Sequence, residues 1–159
     1  MSRIACDSNE LKEEIIDILE REKHIVLASC SDGRVTARTM SHVNVGMDIY
    51  LQTDKKFLKV EQIAKNPRVA LCVGNLQIEG VAKFEHHPSD LENTEFYNLY
   101  KQKHPHSFEM YSSMKDEIVI KVKPTLAILW KYINGKPCRD YLHLNGNIAY
   151  REYYELEVK

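Results

Sequence analysis

Hydrophobic spacing changes character soon after the chain begins. Over residues 9–22, Leu11, Ile15, Ile16, Ile18 and Leu19 share one broad face while Glu and Lys fill the rest, which predicts an amphipathic helix capped by Asp7 or Ser8. The period then shortens. A short apolar run at 25–29, the turn Ser31-Asp32-Gly33-Arg34 and β-formers at 35–40 predict a β-hairpin. Residues 43–45 extend it, Gly46-Met47-Asp48 turns the chain, and 49–53 make a third strand.

A helical period returns over 55–65 through Phe57, Leu58, Val60, Ile63 and Ala64, and Asn66-Pro67 ends it. The nearly all-apolar stretch 69–73 predicts a strand buried on both faces, turned by Gly74-Asn75 into 76–84 at the centre of a barrel. Pro88-Ser89-Asp90 starts a helix to about residue 103, with Leu91, Phe96, Leu99 and Tyr100 on one side, placed to cover an open barrel end. His104-Pro105-His106 breaks it, and a loop with Met110 and Met114 follows. Residues 117–122 and 125–132 read as two strands around Lys123-Pro124, Asn134-Gly135-Lys136-Pro137 as a turn, and 141–144 with 148–158 as a last hairpin.

Strands outnumber helices and do not alternate with them. The pattern predicts a mainly β (α+β) fold, an antiparallel barrel with short helices at its ends, built as a single domain over 1–159. The missing βαβ order and the lack of G-x-G-x-x-G or Walker spacing argue against a Rossmann sheet.

Charge narrows the partners. Lys and Arg number 22 against 23 Asp and Glu, interspersed, for a formal net charge of −1, so no single-sign field is available for nucleic acid or an anionic membrane. No stretch approaches the roughly 20 apolar residues of a bilayer span, and the start of the chain lacks a basic-then-apolar leader. Cys6, Cys30, Cys72 and Cys138 are far apart, as reduced thiols of a cytoplasmic protein would be.

Candidate chemistry concentrates between Val35 and Arg68. If the strands carrying Arg38 and Thr53 are neighbours, Arg38, Thr53 and Lys59 converge where a strand end meets a helix start, a place that favours an anion. A planar guanidinium fork, a mobile ammonium and a hydroxyl suit a phosphomonoester, although a solvated basic strand edge needs the same residues.

The segments D-G-R-V-T-A-R-T-M, Y-L-Q-T-D-K-K-F-L-K-V-E-Q-I-A-K-N-P-R-V-A-L and I-E-G-V-A-K-F resemble the pyridoxamine 5'-phosphate oxidase-like FMN-binding split-barrel family, and P-T-L-A-I-L-W resembles that family's last barrel strand. The resemblance implies a six-stranded split β-barrel whose homodimer holds FMN between subunits. It implies that Arg38 and Lys59 grip the FMN phosphate with help from Thr53, and that Thr39 and Met40 lie beside the flavin ring, largely through backbone. Leu51 and Gln52 would border the ring's other edge, with Trp130 and Gln77 (or Asn75) approaching from the partner subunit.

Two departures bear on substrate. A Ser-Arg-Lys phosphate run in the authentic oxidase is replaced by Phe57-Leu58-Lys59, leaving Lys55 or Lys56 as substitutes. The oxidase's Arg-x-His is absent: Arg139 and His143 are wrongly spaced, which points to a general-stress or nitroimidazole-reductase kind of paralogue. The implied activity is an FMN-dependent oxidoreductase acting on a small substrate, with NADH or NADPH as donor if it is a reductase. Its rivals are a flavin-storing stress protein without turnover and a split barrel for a deazaflavin or haem.

Other residues read as ordinary structure. His86-His87 and His104-x-His106 are solvated loop histidines rather than a metal set, and His42 is a hydrogen-bonded or surface histidine before it is a flavin contact. Cys30 and Cys72 are expected to be small buried hydrophobes, and the tyrosines core and interface aromatics.

Overall fold

The computed structural model describes residues 2–155. Its strands are β1 (Ser2–Ala5), β2 (His24–Ser31), β3 (Arg34–Val45), β4 (Asp48–Asp54), β5 (Arg68–Val73), β6 (Leu76–Phe84), β7 (Glu117–Ile133), β8 (Lys136–His143) and β9 (Ile148–Tyr153). They form one antiparallel sheet in the order β1-β9-β8-β7-β4-β3-β2-β5-β6, and a further pairing of β6 with β7 closes six of them into a barrel. β8, β9 and β1 continue outward from β7 as an extension.

Local chemistry sets the turns and the first helix. Asp32 (φ 51°) and Gly33 (φ 77°) take the left-handed geometry of a two-residue hairpin turn between β2 and β3, and Asn134 (φ 50°) and Gly135 (φ 76°) do so between β7 and β8. Helix α1 (Ser8–Arg21) is capped by Asp7, whose carboxylate accepts from the amides of Asn9 (2.9 Å) and Glu10 (3.0 Å). Its Leu11, Ile15 and Leu19 join Ile25, Leu27, Ile49, Leu51, Leu71, Ile78 and Ile120 in the main core. Ile63, on helix α2 (Leu58–Lys65), completes it.

Several expectations are corrected. Residues 117–133 form one long strand rather than two: Pro124 lies opposite Gly80 where the β6–β7 register shifts, a place where a missing N–H interrupts no regular rung. Strand β5 is buried on one face only, Val69 and Leu71 inward and Cys72 exposed, so Cys72 is not a buried hydrophobe; Cys30 is half-buried. The helix expected up to residue 103 starts as a 3-10 turn at Leu91–Asn93 and continues as α3 (Thr94–Lys103). It covers no barrel end. Its Phe96 and Tyr100 pack with Val43 and Val119 on the outer face of β3 and β7 as a second core.

His104-Pro105-His106 does not begin a loop. Pro105 opens helix α4 (Pro105–Tyr111), where its fixed φ is favourable and its missing N–H costs nothing, and Met110 lies inside that helix. β1 has no counterpart among the expected strands and pairs with β9. The part of the last expected strand at residues 156–158 lies outside the described residues.

Candidate functional site

The barrel wall opens between β3 and β4. The two strands pair from Val45↔Asp48 to His42↔Leu51, after which the first part of β3 stays with β2 and the end of β4 stays with β7. Arg38, Met40, Thr53 and, across the gap, the start of α2 border this split. Phe57, the residue before α2, makes no side-chain cap hydrogen bond, and while the Val60 amide donates to the Phe57 carbonyl (3.0 Å), the Leu58 and Lys59 amides have no acceptor among the described residues.

Lys59 donates from Nζ to the Thr53 hydroxyl at 3.0 Å and lies 4.7 Å from the Phe57 ring centre. Arg38 Nη1 donates to the Leu27 carbonyl (3.1 Å) and to Ser29 Oγ (2.9 Å), and Nη2 donates to the Thr36 hydroxyl. Two of the guanidinium's five N–H groups, on Nε and Nη2, have no acceptor among the described residues. Burial, then the charge of Arg38, holds the Lys59 ammonium below its ordinary value, and burial lowers Arg38 as well. Two cations thus share a partly dry opening, a costly arrangement that an anion between them would relieve.

A buried polar group lies behind β4. Gln52 donates to Glu117 Oε2 (2.8 Å) and accepts from the Ser112 hydroxyl (2.9 Å), and burial raises the Glu117 carboxyl. The Gln52 oxygen and one of its two amide N–H groups are thus engaged inside the protein, and with the residue 8% exposed it is chiefly the backbone that Gln52 presents outward. Leu51 is wholly in the core and offers only its backbone too. Thr39 is exposed on β3, and Met40 is half-buried against the main core. Lys55 lies 3.7 Å from the Asp116 carboxylate, and Lys56 is also paired to it, so both ammonium groups already have a counter-charge.

Gln77 and Trp130 stand elsewhere, on the outer side of β6 and β7. They line a cavity with Cys72, Ile128 and Arg139, and the Arg139 guanidinium lies 5.2 Å from the Trp130 ring centre. His42 shares the face of β3 that carries Arg38 and Met40 but borders no opening: it is fully buried, with Nε2 2.9 Å from the Leu19 carbonyl. Burial, then Lys103, drives its pKa down to about 4. Its Nδ1 has no hydrogen-bond partner among the described residues.

Sequence reasoning missed Ser29 and Thr36, which accept from Arg38, and Gln62, which accepts from both of them. The signal was present as polar residues at inward positions: Ser29 ends the apolar run of β2, and Gln62 lies next to Ile63 on the buried side of α2.

Comparison with known proteins agrees with this architecture. General stress protein 26 of Bacillus subtilis (strain 168) is 31% identical over 68 residues, 43% of this chain; the chain thus spans about half, 49%, of that relative. The crystal structure of General Stress Protein 26 from Bacillus anthracis str. Sterne superposes with a TM-score of 0.62 at 23% identity, covering 85% of this chain and 99% of that one. A Clostridium acetobutylicum protein related to general stress protein 26, of the pyridoxinephosphate oxidase family, gives 0.67 at 16% identity, covering 89% and 99%. At these identities the two structures share the fold. The pyridoxamine 5'-phosphate oxidase family pattern matches residues 11–131, a span running from α1 through the split to Trp130 and Lys131, and the chain belongs to that family.

Proposed function

We propose that this chain binds FMN with its phosphate in the split between β3 and β4, and that it is an FMN-dependent oxidoreductase for a small organic substrate. One observation carries the reading: Arg38 and Lys59 border one opening, burial and then the charge of Arg38 weaken the hold of Lys59 on its proton, and neither is bonded to a carboxylate among the described residues. In this reading Arg38 offers its two free N–H groups to the phosphate, Lys59 supplies the point charge, and Thr53 orients Lys59. Thr39, Met40, Leu51 and Gln52 border the ring, and Lys55, which shares the single Asp116 carboxylate with Lys56, contributes to the net positive charge that pair leaves. Bound FMN supplies a hydride and electron acceptor, while the protein binds and orients it.

A second copy of the chain completes the groove in this proposal, bringing the partner subunit's Gln77 and the partner subunit's Trp130 to the flavin. The exposed apolar positions of the β2–β3 face, Val26 and Val35 (70% exposed), with Val81 on β6, support a homodimer. Four free thiols fit a reducing cytoplasm, and no helix among the described residues is long and apolar enough to cross a membrane.

The test is anaerobic titration of the purified protein with FMN, riboflavin, a deazaflavin cofactor and haem. FMN is expected to bind in preference to riboflavin, and Arg38→Ala with Lys59→Ala to weaken it by about 1.5–3 kcal/mol for each charge-assisted hydrogen bond to the phosphate that is removed. Equal affinity for FMN and riboflavin, or a Soret band in place of flavin bands, overturns the reading. Bleaching of bound flavin by NADH or NADPH marks a reductase, and an inert flavin marks a store.

A further inference from the structure

Helix α2 brings a second polar residue to the split, three positions after Lys59. Gln62 is 1% exposed, and its amide has a fixed orientation: Nε2 donates to the Arg34 carbonyl (3.0 Å), an atom that only accepts. Its Oε1 therefore faces two hydroxyls and accepts from both, Ser29 Oγ at 2.6 Å and Thr36 Oγ1 at 2.7 Å. A hydroxyl has one proton. With both protons committed to Gln62, Ser29 and Thr36 turn lone pairs toward Arg38, and the guanidinium donates into each.

We propose that Gln62 is a positioning residue for the phosphate: through Ser29 and Thr36 it holds the Arg38 guanidinium still, so that the two remaining N–H groups stay available to the anion. The proposal rests on the FMN reading above. Gln62 touches no ligand. Without its carbonyl, either hydroxyl is free to rotate its proton toward Arg38 and present a donor to a donor. Ser29 is itself 2% exposed, so bulk water cannot easily take over the role. The helix thus delivers the ammonium of Lys59 directly and the guanidinium of Arg38 at one remove.

The test compares FMN with riboflavin, which lacks the phosphate, by fluorescence titration of the full chain. Gln62→Leu is expected to weaken FMN about tenfold and to leave riboflavin within about twofold. In an Arg38→Ala background, the same substitution should add nothing. Thr36→Val, at a half-exposed position of the same relay, should reproduce the effect more weakly if Gln62→Leu fails to fold. Equal weakening of FMN and riboflavin assigns Gln62 to the fold alone and overturns the proposal, as does undiminished FMN binding or full additivity with Arg38→Ala. A wild-type chain with no preference for FMN, or an Arg38→Ala variant that binds FMN normally, removes the cofactor reading and this proposal together; the wild-type and Arg38→Ala titrations tell the two failures apart.

Discussion

The molecule holds cations in two ways. On the extension, Asp140 is 2% exposed and accepts a two-point pair from Arg151 (2.6 and 2.8 Å), while Lys131 lies 2.8 Å from Asp140 and 2.8 Å from Glu14. At the split, Arg38 and Lys59 meet only neutral oxygens among the described residues. The proton equilibria move in opposite directions. Asp140 raises Arg151; burial alone would lower Lys131, but hydrogen bonds to Asp140 and Glu14 outweigh it, whereas Lys59 is lowered by burial with Arg38 as the second cause. Cations with carboxylates at hand tie β7, β8 and β9 to α1. Cations with no bonded carboxylate among the described residues, only the more distant charges of Glu117 and Asp54, leave a charge for something else to balance.

That contrast breaks most visibly at Asp140. Asp140→Ala leaves Arg151 and Lys131 without their main counter-charge and is expected to cost about 3–5 kcal/mol in denaturant unfolding, with little change in FMN affinity of the protein that remains folded. A loss of FMN binding as large as the loss of stability would show that the two regions are one.

Acid sharpens the comparison next. Burial works against the Asp140 carboxylate, but Arg151 and then Lys131 outweigh it and hold its pKa below the ordinary 3.8, so its contribution is lost only as pH falls through that lowered value. His42 titrates earlier. Its pKa falls from 6.5 unfolded to about 4 folded, so the unfolded chain binds the extra proton and stability drops by about 3 kcal/mol as pH falls from 6.5 to 4. Urea midpoints across that range should fall in the wild type and flatten in His42→Leu, leaving the smaller slope of His104, which burial also lowers. A wild-type midpoint that stays constant to pH 4 would refute the buried neutral imidazole.

The smallest effect is alkaline and belongs to the split. The empty protein loses the Lys59 proton below the ordinary 10.5, so FMN affinity should decline, by about tenfold at most, as pH rises through that lowered value. Lys59→Met should bind FMN more weakly and without this decline. Lys131, raised rather than lowered, predicts no matching loss of fold stability in the same range.

Much of this was legible along the chain because it is local. Asp7 caps the first helix, Asp32-Gly33 and Asn134-Gly135 make tight hairpin turns, and the spacing from Arg38 through Thr53 to Lys59 anticipates the border of the split. What stayed hidden depends on distant partners. A proline in a strand pattern normally divides it, and only the register shift at Gly80 explains why Pro124 does not. β1 becomes a strand because β9 waits for it, and the helical character of 105–111 is masked by two histidines and a proline that reads as a breaker until it occupies the first turn. Gln62 was invisible for a similar reason: a glutamine on a short charged helix looks solvated until Ser29 and Thr36 are seen beneath it.

The meeting of β6 and β7 has a mechanical consequence. One continuous ribbon, β7, pairs at its start with β4, the strand that borders the split, and carries the Trp130 side of the molecule at its end, and its register against β6 shifts where Gly80 leaves room. A methyl group there would stand 2.8 Å from Val122 Cγ1 and 2.9 Å from the Lys123 carbonyl oxygen, with a packed side chain on one hand and main chain on the other. The absence of a single carbon at residue 80 therefore lets barrel and extension share a strand, and whatever spacing they keep is set at that crossing.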